Sequence, residues 1–145
     1  MSSIAQELAA KRLELLRELM PQARVIAMLI NPDNPGNEPE LTDVEAAART
    51  FGLQIRKVTA RNERDLDAAF VTIGTPRVDA LIVSQDGYYI HRRDQIVALA
   101  ARHSVPPIYP WREYPAAGGL VSYAPRLADG YRQVGVYIGQ DSQRG

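Results

Sequence analysis

Two histidines, seven tyrosines, one tryptophan and no cysteine bound the chemistry open to this 145-residue chain. His91 and His103 are the only imidazoles, so proton transfer near neutral pH would have to rest on them. A Ser-His-Asp set can be assembled on paper, but no G-x-S-x-G turn presents a serine. There is no H-E-x-x-H, no Walker loop and no G-x-G-x-x-G, and Gly118-Gly119 alone reads as a turn. Without cysteine there is no thiolate nucleophile, no disulfide and no cysteine-based metal site. The expectation is a protein with no catalytic residues, no metal and no cofactor.

The residues suited to binding are more suggestive. All seven tyrosines follow residue 87, and five of them share the stretch from 88 to 123 with the only tryptophan. Tyr88, Tyr89, Trp111 and Tyr123 lie in or beside loops, where aromatics with a polar tip suit an apolar cleft that must orient its ligand. For any single one, packing at the edge of the core is an equal reading. Glu113, in "WREY", is either an acceptor for a ligand ammonium or a solvated charge. Asn31 and Asn34 stand in "NPDNPGNEPE", a stiff loop directly after the apolar run "RVIAMLI". Turn chemistry explains Asn34; for Asn31 turn chemistry and ligand contact stand level. Asp86 follows a second buried run, where an aspartate before a helix is often a cap. Arg92 and Arg93 oppose a helix dipole, and local pairing with Asp86 or Asp94 is a simpler account than a bound anion.

These residues need elements to position them. Ala9, Leu13, Leu16 and Met20 share one helical face within 4–20, and Pro21 ends that helix. "RVIAMLI" (24–30) and "VDALIVS" (78–84) read as fully buried strands; "LQIRKVTA" (53–60) alternates and reads as a more exposed one. Helices are predicted from about Pro39 to Gly52, from Asn62 to Gly74, and over 91–104; "QDGYYI" reads as a turn. "PPIYP" and "LVSYA" are short strands, and a last amphipathic helix covers 126–139. Strands alternating with helices imply βαβ units. The fold class is α/β: three layers around a doubly wound, mostly parallel sheet in a single flavodoxin-like lobe. One domain of 1–145 is expected, with its core at about 4–124 and a tail at 140–145. In such sheets ligands bind beyond the carboxyl ends of the strands, where the proline loop and "QDGYY" fall.

Composition is that of a globular domain, 46% apolar and 23% charged. Seventeen basic and seventeen acidic residues cancel, so no electrostatic footprint for nucleic acid exists. The first twenty residues mix charged and apolar types and do not form a signal peptide.

The runs "AKRLELLRELMP", "NPDNP" and "RRDQIVALAARHSVPPIYPWREYPAAGGLVSYAPRLADGYRQVGVYIG" resemble the substrate-binding proteins of ABC transporters of the tryptophan/tyrosine-transporter type. The resemblance spans about residues 10 to 139. It implies a type I periplasmic-binding-protein architecture: two α/β lobes, a small solute such as an amino acid closed between them, and a permease as partner. This chain is similar to the second lobe only. By the same resemblance, "GGLVSYA" is the strand that crosses between lobes, and the helix 126–139 packs on the first lobe. Leu127, Val134 and Ile138 would then lack a partner in an isolated lobe, which predicts a homo-oligomer. The family is exported, so a periplasmic or extracellular location is implied; the chain as written, without an export signal, would be cytoplasmic. Where the family often shows "DPFFNS", this chain has "DGYYIH", which keeps the aromatics and adds hydroxyls. The ligand set implied is Asn31, Asp86, Tyr88, Tyr89, Trp111, Glu113 and Tyr123. Two rival readings are a cytoplasmic regulatory or sensory α/β domain that binds a small ligand or partner protein, and a small α/β hydrolase.

Overall fold

The computed structural model describes residues 4–74, 78–109 and 121–122. Helix α1 (Ile4–Leu19) leads into strand β1 (Val25–Ile30), followed by α2 (Asn37–Phe51), β2 (Gln54–Thr59), α3 (Glu63–Ile73) and β3 (Ala80–Val83). Helices α4 (Gly87–His91) and α5 (Arg93–Arg102), then strands β4 (Pro107–Tyr109) and β5 (Val121–Ser122), complete the described elements. Trp111, Glu113, Tyr123 and the segments 126–139 and 140–145 lie outside the described residues.

The five strands pair in the order β2-β1-β3-β4-β5, every pair parallel. Ile26 to Ile30 are all 0% exposed, which is what a continuous apolar run must be when it forms a central parallel strand covered on both faces. Side chains alternate between those faces. Ile26, Met28, Ile30, Ala80 and Ile82 pack with Leu13, Leu16, Leu41 and Val44 of α1 and α2. Ala27, Leu29, Leu81 and Val83 pack with Leu66, Phe70, Tyr89, Ile96 and Leu99 of α3, α4 and α5. Edge strand β2 buries only Val58 fully and carries Arg56 and Lys57, charges that protect a sheet edge.

Local signals set the boundaries. Asn62 caps α3 by accepting from Asp65 N at 2.8 Å. Gly52, at φ 70°, closes α2 in the left-handed region, and Leu53 N then donates to Ala48 O at 2.9 Å. The expected turn at "QDGYYI" is instead helix α4. Its start comes from Asp86, which caps it, and from Tyr89, a fully buried anchor. Arg92 then breaks the helical path between α4 and α5.

The chain leaves β1 in one direction to build β2, then returns across β1 to build β3 and β4. The connections from β1 and β3 therefore diverge to opposite faces, the arrangement that in open α/β sheets marks the ligand end of the sheet, at the carboxyl ends of these two strands. The two strands are also tied side by side at their other ends, where Asp79 Oδ2 accepts from Arg24 N at 2.7 Å and Val25 N at 2.9 Å.

Candidate functional site

The switch point between β1 and β3 carries the β1–α2 loop (31–36) and the β3–α4 loop (84–86). "NPDNPG" folds as a tandem of two turns. Asn34 N donates to Asn31 O at 3.0 Å, and Asn37 N donates to Asn34 O at 3.1 Å. Each leading asparagine also closes its own turn: Asn31 Oδ1 accepts from Asp33 N at 3.0 Å, and Asn34 Oδ1 accepts from Gly36 N at 2.9 Å. Proline after each asparagine pre-sets the turn's φ.

With both amide oxygens used locally, both amide nitrogens turn to one acceptor. Asn31 Nδ2 donates to the Asp86 carboxylate at 3.4 and 3.2 Å, and Asn34 Nδ2 donates to Asp86 Oδ1 at 2.7 Å. Asp86 Oδ2 also accepts from Tyr89 N at 3.1 Å, the capping bond of α4. Asn31 and Asp86 are buried, and Asn34 is half-buried. The Asp86 carboxylate thus joins two loops whose members are more than fifty residues apart in sequence.

A second asparagine bond set lies beneath. Asn37, 1% exposed, accepts at Oδ1 from Asn31 N and from Ser84 Oγ, both at 2.8 Å. Its Nδ2 donates to Gln85 O at 3.0 Å. Gln85 N donates to both oxygens of Glu40, at 2.9 and 3.3 Å, and Arg12 Nη2 donates to Glu40 Oε2 at 2.7 Å. Exposed residues of these two loops and the start of α4 are Pro32, Asp33, Pro35, Gly36, Gln85 and Gly87, with Asn34 and Tyr88 half-buried.

Of the residues singled out from sequence, the structure brings Asn31 and Asp86 together at the switch point and places half-buried Tyr88 next to them in α4. Asn34, read as turn chemistry, makes its turn and also binds Asp86. Tyr89 is corrected: it is 0% exposed, packs in the core and donates its hydroxyl to Ala60 O at 2.7 Å, so it offers a solute no surface. Tyr88 is half-buried and packs against the edge of the same core. Arg92 pairs with Glu63 and Gln95, and Arg93 donates to Ile90 O at 3.0 Å, so neither uses Asp86 or Asp94. Arg12, Asn37, Glu40, Ser84 and Gln85 were not apparent from sequence. Arg12 did carry one signal: it falls on the apolar stripe of α1, three residues after Ala9 and one before Leu13. Among the described residues, no group of three or more His, Asp or Glu could hold a metal ion, and no helix is long and apolar enough to cross a membrane.

A 2-1-3-4-5 parallel sheet covered by helices on both faces defines a flavodoxin-like α/β lobe. The family model for the ABC transporter substrate binding protein matches residues 3–140, and the chain belongs to that family. The family binds small-molecule solutes, works with ABC permeases and is typically periplasmic or extracellular. No curated protein matches the sequence. Solved structures share the fold. The ABC domain in complex with L-Trp from Streptococcus pneumonia is 20% identical at a TM-score of 0.74, covering 94% of this chain and 46% of that one. A conserved domain protein from Vibrio cholerae is 18% identical at 0.72, covering 93% and 45%. A ligand-free, open substrate-binding protein with adhesive properties from Clostridium difficile is 17% identical at 0.72, covering 92% and 44%. The chain spans a little under half the length of each.

Proposed function

We propose that this chain is the second lobe of the solute-binding component of an ABC transporter. It supplies one wall of a cleft that takes a small solute such as an amino acid, and it performs no chemistry on it. The observation that carries this reading is the locked pair of loops at the switch point, where Asp86 joins Asn31 and Asn34. A binding wall that is already ordered loses little entropy when a solute arrives, which is what a carrier of small ligands requires. The rim of amide, carboxylate and tyrosine suits a zwitterion with an apolar or aromatic side chain. The likeness in fold to a protein solved with L-Trp supports the same class of solute.

The test is a thermal-shift and calorimetric titration of the chain with amino acids and small aromatic solutes. A solute held at 100 times its dissociation constant adds about 2.7 kcal/mol to stability. A shift with L-tryptophan or another amino acid, relative to the solute-free protein, is the expected result. The absence of any shift up to millimolar solute, in the chain and in a two-lobe protein carrying it, refutes the reading.

A further inference from the structure

Arg12 is 2% exposed, yet only its Nη2 is bonded, to Glu40; its Nε and Nη1 are buried without a hydrogen-bond partner. Such a pair is a poor device for stability. Burial strips both charges of water, and orphaned N–H groups add to the penalty, so an apolar pair of the same volume is often as stable or more so. What the pair does hold is a backbone. Both Glu40 oxygens accept from Gln85 N, while Asn37 Nδ2 grips Gln85 O from the other side. Ser84 before it and Asp86 after it are tied as well, Ser84 through Asn37 and Asp86 through the two loop asparagines. Gln85 itself is exposed, in the loop just past the carboxyl end of β3.

We infer that Arg12 and Glu40 are positioning residues for the switch point: they fix the Gln85 peptide and so present the Gln85 amide to the solute. Arg12 acts through Glu40. Without the guanidinium, a largely buried carboxylate (15% exposed) loses its counter-charge and turns toward water, releasing Gln85 N. A backbone held at both its N–H and its C=O fixes the point from which the Gln85 side chain reaches out. The assignment rests on the solute-binding reading for its consequence but not for its geometry.

The test is the double substitution Arg12→Met with Glu40→Met, which replaces the pair by apolar side chains, followed by amide hydrogen exchange and titration with L-tryptophan. The expected result is an unfolding midpoint at or above that of the unsubstituted protein. Protection at Gln85 should drop roughly tenfold relative to Leu29 and Ile82, the loss of about one hydrogen bond, and L-tryptophan affinity should fall with it. Glu40→Gln, whose Oε1 still accepts, should retain more Gln85 protection than the double variant. Gln85 protection that is unchanged, or that falls only in step with Leu29 and Ile82, overturns the positioning role and leaves a structural one. If the unsubstituted protein takes up no L-tryptophan, the solute reading alone fails, and the exchange ratio still decides the role of the pair.

Discussion

Replacing Asp86 by alanine should unlock the two loops and lower stability together. The carboxylate accepts from Asn31 Nδ2, Asn34 Nδ2 and Tyr89 N. The Asn31 and Tyr89 donors are buried and have no water to turn to, so each should cost about 1–3 kcal/mol when orphaned. The Tyr89 bond is also the cap of α4, a loss of about 1 kcal/mol that is the same bond and is counted once. Asn34 is half-buried and can rehydrate, for a loss of about 0.5–1 kcal/mol. Together these come to about 2.5–7 kcal/mol, toward the large end for a single substitution. Asp86→Asn should lose about half of this, because an asparagine still caps α4 but presents an amide donor to one of the loop asparagines. Urea denaturation of both variants measures the loss, and side-chain amide resonances of Asn31 and Asn34 report the loop. A loss below about 1 kcal/mol for Asp86→Ala, with those resonances unmoved, would show that the two loops are held by something other than this carboxylate.

Two further substitutions probe the core and a helix end. Tyr89→Phe removes a buried donor from Ala60 O and should cost about 1–2 kcal/mol in denaturant; solute affinity should not change, and a selective loss of affinity would return Tyr89 to the wall. Gly52→Ala places a side chain at φ 70° with open space around it, so the penalty is purely conformational, about 1 kcal/mol by thermal denaturation.

Much of the fold was legible because local chemistry and burial agreed. "RVIAMLI" and "VDALIVS" are apolar without alternation, and a run of that kind can only be a strand covered on both faces or a buried helix; their length and flanking turns decide for the strand. Asn62 and Gly52 mark helix ends for reasons contained within four residues of chain. Helix α4 was not legible. Five residues give no periodicity, and its existence depends on Tyr89 joining a core shared with α3, α5 and the sheet.

The site divides in the same way. The amino-acid sequence by itself determined that the β1–α2 loop would be stiff and turn-rich, because Asn-Pro is read by its own neighbours. It also placed that loop and Asp86 at strand ends, since each follows a buried run. Only the tertiary structure decided that the nitrogens of Asn31 and Asn34 meet one carboxylate, since that needs β1 and β3 to be adjacent and in register, Leu29 opposite Val83. It likewise decided that Arg12 is buried and Gln85 held, and that Tyr89 is fully buried while Tyr88 is only half-buried. Turns and caps are short-range and are written in adjacent residues. Which side chains share a crevice is set by the order of strands, and strand order follows from how the whole chain buries its apolar surface.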